Sequence, residues 1–76
     1  MKKQAFRIVR RYRKCFAILA TKRPNSAFLY WNIYHNKLDG LMDMLSADNS
    51  ISHTEYMLMN KYFEKKFQEL YRIYCK

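Results

Sequence analysis

Three segments of the chain repeat their apolar residues every three or four positions, the spacing that places side chains on one face of a helix. The most regular segment has apolar positions spaced four, three, four, three and four apart: Ala27, Trp31, Tyr34, Leu38, Leu41 and Leu45. This pattern predicts a central helix from Ala27 to about Leu45. We expect its polar residues to lie opposite the stripe and to face water: Asn32, Asn36, Asp39 and Asp43.

A first helix is predicted from Lys2 to Ala20, and it is strongly amphipathic. Its apolar stripe consists of Ala5, Ile8, Val9, Tyr12, Cys15, Phe16 and Leu19. The opposite face carries a basic row at helical spacing, Lys3, Arg7, Arg10 and Lys14, with Arg11 beside it. Like charges four positions apart cost about 0.2–0.5 kcal/mol a pair, so the row opposes helix stability and indicates another role.

A third helix is predicted to begin at His53 and to continue close to Lys76. Ser52 and Glu55 have the spacing of a capping box, and Ile51 and Tyr56 occupy the positions of a hydrophobic staple. Beyond this start, the apolar stripe consists of Tyr56, Met59, Phe63, Phe67, Leu70 and Tyr74. The face predicted to be in water carries Lys61, Lys65, Gln68 and Arg72.

Two short breaks, residues 21–26 and 46–51, separate the predicted helices. Pro24 disfavours helical angles at Arg23, and Asn25 or Thr21 is the expected cap of the second helix. The second break is rich in turn-forming residues and short enough to join antiparallel neighbours. We therefore predict an all-α fold in one domain, residues 1–76. It is a small three-helix bundle in which helices 2 and 3 form an antiparallel hairpin and the basic amphipathic helix 1 packs on it.

The net charge of +9 comes entirely from the first third of the chain. Residues 1–23 contain nine basic residues and no acidic one, whereas residues 24–76 contain six of each. Charge of one sign on one segment indicates an anionic partner. The predicted binding residues for nucleic acid or an acidic protein surface are Lys3, Arg7, Arg10, Arg11, Lys14, Lys22 and Arg23. Phe6 and Tyr12 lie near the row, where they could stack on bases or belong to the core.

A second apolar line, Leu29, Ile33 and Met44, runs along a flank of the central helix with Gly40 in it. A helix that is apolar on two sides needs a neighbour on both. We predict that this line is a surface for a protein partner or for a second copy of the chain, and that Gly40 either is tolerated or allows a close approach.

Catalytic and cofactor chemistry is poorly supported, so we predict a protein that is not an enzyme and has no cofactor and no metal site. His35 flanks the core stripe and His53 lies at a helix start, and neither has ligands at the spacing of a zinc site. Cys15 and Cys75 are expected to be reduced thiols. No segment has the length of a signal peptide's apolar region or of a membrane span, which favours the cytoplasm, or a host's cytoplasm for a phage-encoded protein.

Our leading hypothesis is a small non-enzymatic protein whose basic N-terminal helix contacts nucleic acid, mostly at the phosphate backbone. The alternative is a phage or mobile-element accessory protein that binds and inhibits or regulates a larger protein through its basic face and apolar flank. Peripheral membrane binding is the weakest hypothesis, because the apolar stripe of helix 1 is needed for the core.

Overall fold

The computed structural model describes residues 2–75 and contains three long helices. They are α1 (Lys2–Lys22), α2 (Ala27–Ala47) and α3 (His53–Tyr74), and one 3-10 turn, Pro24–Ser26, joins α1 to α2. No strand occurs between residues 2 and 75. The prediction of an all-α bundle is confirmed, and the bundle is elongated, with extents of 39 × 17 × 16 Å.

The first break is shorter than predicted, because α1 continues to Lys22. Proline restricts only the residue before it, so Arg23 alone leaves helical geometry, with φ −133° and ψ 73°. Thr21 is not a cap for α2: its hydroxyl lies inside α1 and donates to the carbonyl of Ala17 at 2.7 Å. Asn25 is not a cap either, since it lies within the 3-10 turn, and Ser26 precedes α2 without a side-chain capping bond.

The second break and the start of α3 follow the prediction closely. The central helix ends at Ala47, two residues later than expected, and α3 begins at His53. The Glu55 amide donates to Ser52 Oγ at 3.1 Å, and the Ser52 amide donates to Glu55 Oε1 at 3.1 Å. Both halves of the capping box are therefore present. Ile51 is buried in front of it, and α3 ends at Tyr74, while Lys76 lies outside the described residues.

The core forms where the three apolar stripes meet along the long axis of the bundle. Its largest fully buried side chains come from all three helices: Phe16, Leu38, Met42, Phe63 and Phe67. The side chain of Trp31 connects α2 to α3, since its indole Nε1 donates to the carbonyl of Phe67 at 2.8 Å. This bond satisfies the one polar group of a buried indole. Filling the interior from all three helices leaves the opposite face of each helix at the surface.

Candidate nucleic-acid interface on helix α1

The basic row occupies the outer face of α1. Lys3, Arg7, Arg10, Arg11 and Lys14 are all exposed, because Ala5, Val9 and Phe16 turn the opposite face into the core. At a rise of about 1.5 Å per residue, the row is roughly 16 Å long. Lys22 and Arg23 are also exposed, at the far end of the same helix. The structure thus places all seven predicted residues at the surface, and what they bind stays a prediction.

The positive charge of α1 from Lys3 to Lys22 is not neutralised by ion pairs with the described residues of the bundle. No side chain from Lys3 to Arg23 forms an ion pair with a carboxylate, and α1 contains no acid of its own. The carboxylates with basic partners include Glu64 and Asp39, which face His35, and Glu69, which lies 3.9 Å from Lys66. The outer face of α1 is consequently a cationic surface that attracts anions from solution.

Two further basic residues join this surface where α1 packs on α3, and sequence reasoning missed both. Arg13 is half-buried, and its Nε is buried with no hydrogen-bond partner. Lys66 of α3 faces it across a crevice of about 50 Å³. Aromatic rings and Arg10 complete the lining, which consists of Phe6, Val9, Arg10, Arg13, Tyr62, Phe63 and Lys66. The only clue in the sequence is that Arg13 follows Val9 by four positions, at the shoulder of the apolar stripe.

The two aromatic residues near the row have different surroundings. Tyr12 is half-buried between α1 and α2, with its ring centroid 5.8 Å from that of Tyr34, and Lys37 Nζ lies over both rings at 5.9 and 5.2 Å. Burial, followed by the neighbouring Cys15 thiol, raises the pKa of Tyr34, so its phenol is neutral at physiological pH. Phe6 remains 41% exposed beside Tyr62. Of these two rings near the basic row, that of Phe6 is therefore the one exposed enough to contact a ligand.

His35 is the core-edge histidine that the sequence predicts, but its acidic neighbours were not foreseen. Its ring stacks on Trp31 at 4.7 Å, Nε2 lies 2.8 and 2.9 Å from the two Glu64 oxygens, and Nδ1 lies 3.7 Å from Asp39. Atoms of the three residues lie within 4.8 Å of one another, close enough to consider a metal. The carboxylates, however, face opposite nitrogens of the ring and do not converge on one of them. The arrangement fits a histidine held between two acids, Asp39 of its own helix and Glu64 of α3, and the Glu64 contact joins α2 to α3.

The second apolar line of α2 is uncovered along the part of the chain that the structure describes. Leu29, Ile33 and Met44 are 59%, 42% and 54% exposed, and a methyl group built on Gly40 would have no neighbour within 4 Å. Of the polar residues predicted to face water, Asn36, Asp39 and Asp43 are exposed, whereas Asn32 is half-buried, with its amide donating to the Phe28 carbonyl. The expectation of a second packing neighbour is not met within residues 2–75, so a partner surface remains the prediction.

Neither thiol forms a disulfide in this structure. Cys15 and Cys75 are both free and half-buried. Burial raises the pKa of the Cys75 thiol, which keeps it protonated at neutral pH.

Within residues 2–75, no helix combines the length and apolar character needed to cross a bilayer. The charge layout and the packing described above are thus the features from which a function has to be inferred. Comparison of the chain with protein-family models, with curated proteins and with solved structures finds no match.

Proposed function

We propose that this protein is a small non-enzymatic binding protein whose helix α1 contacts nucleic acid mainly through the phosphate backbone. The observation that carries the proposal is the outer face of α1, where five exposed cations lie within about three turns and have no carboxylate partner. A solvated structural face normally mixes both signs of charge, and this one does not. The proposal places the protein in the cytoplasm, or in a host's cytoplasm if it is phage-encoded.

The chemistry of the row suits phosphates. Arg7, Arg10 and Arg11 present planar guanidinium forks, which match the oxygens of a phosphate better than a lysine ammonium does. Each phosphate that they neutralise releases condensed counterions, and this release drives binding without any reading of sequence. Contacts to phosphates position a protein on nucleic acid without reading its sequence, so we propose backbone contact with little recognition of base edges.

The proposal includes the arrangement of the helices behind the row. We propose that α2 and α3 form an antiparallel hairpin on which α1 packs. Three contacts support this arrangement, because their partners run in opposite directions along the two helices: Phe28 with Tyr71, Trp31 with Phe67, and His35 with Glu64. Such a hairpin turns the apolar stripe of α1 inward and leaves the row free to meet a ligand.

A salt titration of binding tests the function. The wild type should bind duplex DNA or RNA at low salt, with log affinity falling linearly against log salt by about 0.9 for each duplex phosphate contacted. Replacing Arg7, Arg10 and Lys14 together with Gln should lower that slope by roughly two to three units. Circular dichroism should be unchanged, because all three side chains are exposed.

The matched control removes the same charge from α3. Lys61, Lys65 and Arg72 are exposed on its outer face, and their triple Gln variant has the same net charge as the α1 variant. It should keep most of the wild-type slope. Equal losses in the two variants would mean that total charge, and not the α1 face, determines binding, and a wild type that binds neither DNA nor RNA at low salt would refute the proposal.

A second candidate function is supported by the uncovered apolar line of α2. In this alternative the protein is a phage or mobile-element accessory protein that inhibits or regulates a larger protein. Its basic face would meet an acidic or nucleic-acid-binding surface, and Leu29, Ile33 and Met44 would supply apolar contacts. It predicts that the α1 variant loses the protein partner while the wild type binds nucleic acid only weakly and without selectivity.

A further inference from the structure

The crevice between α1 and α3 combines features that a solvated surface does not need. Arg10, Arg13 and Lys66 line it from two helices, and two exposed rings, Phe6 and Tyr62, lie at its edge. We infer that this crevice is a subsite for one nucleotide of a single-stranded nucleic acid, with the phosphate held by the three cations and the base stacked on Tyr62. The inference rests on the proposed function and adds to it a preference for unpaired strands.

The inferred contact with a phosphate follows from the surroundings of the Arg13 side chain. Its Nε–H is buried and makes no hydrogen bond, and a buried donor without a partner is destabilising. Arg13 lines the crevice, so an anionic oxygen placed there would lie among the charges of Arg13, Arg10 and Lys66, and a shift of the Arg13 side chain would bring its Nε–H within reach of that oxygen. The ion pair between Lys66 and Glu69 would compete only weakly with such an anion, since the two charged atoms are 3.9 Å apart. The crevice therefore brings three cationic side chains to one anion.

The inferred stacking of a base on Tyr62 follows from the volume of the crevice and from the exposure of the Tyr62 ring. A volume of about 50 Å³ accepts the oxygens of a phosphate but not a nucleobase, so a base has to lie outside, at the mouth. Tyr62 is 46% exposed there, its centroid 5.8 Å from that of Phe6, and Lys66 Nζ lies 5.5 Å from the centre of the Tyr62 ring. Aromatic rings beside cations are the usual platform for unpaired bases.

The preference for a single strand follows from continuity with the row. Arg10 belongs both to the exposed row and to the lining of the crevice, so a strand lying along α1 would reach the crevice without a gap. In a duplex the faces of the bases are stacked on one another, so Tyr62 would have no base face on which to stack. Duplex binding should therefore use the row alone.

The test compares a short oligothymidylate with a duplex of equal length, using the full chain at low salt. Tyr62→Leu should weaken binding of the single strand about fivefold or more, the lower bound for losing one stacked base, and leave duplex binding unchanged. Phe28→Leu is the matched control: Phe28 is another exposed ring, which contacts Tyr71 away from the crevice, and its replacement should change neither affinity.

A second measurement follows the wild type itself and does not depend on the folding of Tyr62→Leu. In a ¹H–¹⁵N spectrum, the Arg13 Nε–H resonance, assigned by its absence in Arg13→Lys, should shift when oligothymidylate is added. No shift, or a Tyr62→Leu variant that binds the single strand as the wild type does, would refute the subsite while leaving duplex binding by the row intact. Absence of wild-type binding to both strands and duplexes would instead refute the proposed function together with the subsite.

Discussion

At the scale of single residues, the start of α3 depends on the side chains of Ser52 and Glu55. Each satisfies a backbone amide that the first turn of a helix leaves without a partner. Ile51 is buried directly before the cap, so the position of the α2–α3 connection depends on the same short segment. Local chemistry of this kind is visible in sequence because its partners are three residues apart.

Ser52→Ala should lower the free energy of unfolding by about 0.5–2 kcal/mol, because it leaves the Glu55 amide without its acceptor. Thr54→Ala should cost less, since Thr54 is exposed inside the first turn and is not the cap. Chemical denaturation of both variants measures the difference. A larger loss at Thr54 would contradict the assigned helix start.

At the scale of helices, α2 differs from its neighbours because it is apolar on two faces. Its inner face supplies Trp31, Leu38 and Leu45 to the core, whereas its outer face contains Gly40 in open space. Glycine in a helix interior loses more backbone freedom on folding than alanine does. Its presence in an exposed helical turn is therefore a local weakness, and among the described residues no neighbour within 4 Å requires a glycine there.

Gly40→Ala should raise the free energy of unfolding by about 0.8–1 kcal/mol, since the added methyl group meets no neighbour and favours the helical backbone. Ser46→Ala, another exposed substitution in α2, is the control and should give a smaller gain, because serine is a better helix former than glycine. Denaturation at low protein concentration measures both. A loss of stability in Gly40→Ala would show that something packs against this turn.

The helices and their exposed faces were predictable because each follows one local periodicity. The inner stripe of α2 and the outward direction of Arg7, Arg10 and Lys14 both follow from 3.6 residues per turn. Pairing between helices was not predictable in the same way. His35 and Glu64 are 29 positions apart in the chain. Arg13 and Lys66 line the same crevice only because α1 has one particular rotation against α3. Such contacts depend on how the apolar stripes of the three helices pack together, and periodicity does not determine that packing.

At the scale of the whole molecule, the bundle has two unlike surfaces, the cationic face of α1 and the apolar outer face of α2. Leu29, Ile33 and Met44 are too exposed to contribute much to the stability of a monomer. A single chain this small buries a limited core, so association through an apolar helix face would add to its stability. The predicted homodimer would use this face and leave α1 free.

Sedimentation velocity at several protein concentrations should show association of the wild type. Ile33→Glu should abolish it, because a charge would replace an apolar side chain near the middle of the exposed line. Ile73→Glu is the control, since Ile73 is exposed on α3, outside that line, and its replacement should leave association unchanged. A wild type that remains monomeric at every concentration would exclude the homodimer.

The confinement of the net charge to α1 also determines how the molecule moves before contact. Residues 24–76 are neutral in sum, so the bundle has one positive side and a pronounced electric asymmetry. In the field of a polyanion such a body turns its charged side forward during diffusion, and orientation is what limits most protein association rates. A larger fraction of encounters with the polyanion then leads to binding than would be the case with random orientation. Added salt should therefore lower the association rate more than it raises the dissociation rate. The screening length shrinks as salt is added and is about 8 Å at physiological ionic strength, which is shorter than the basic row.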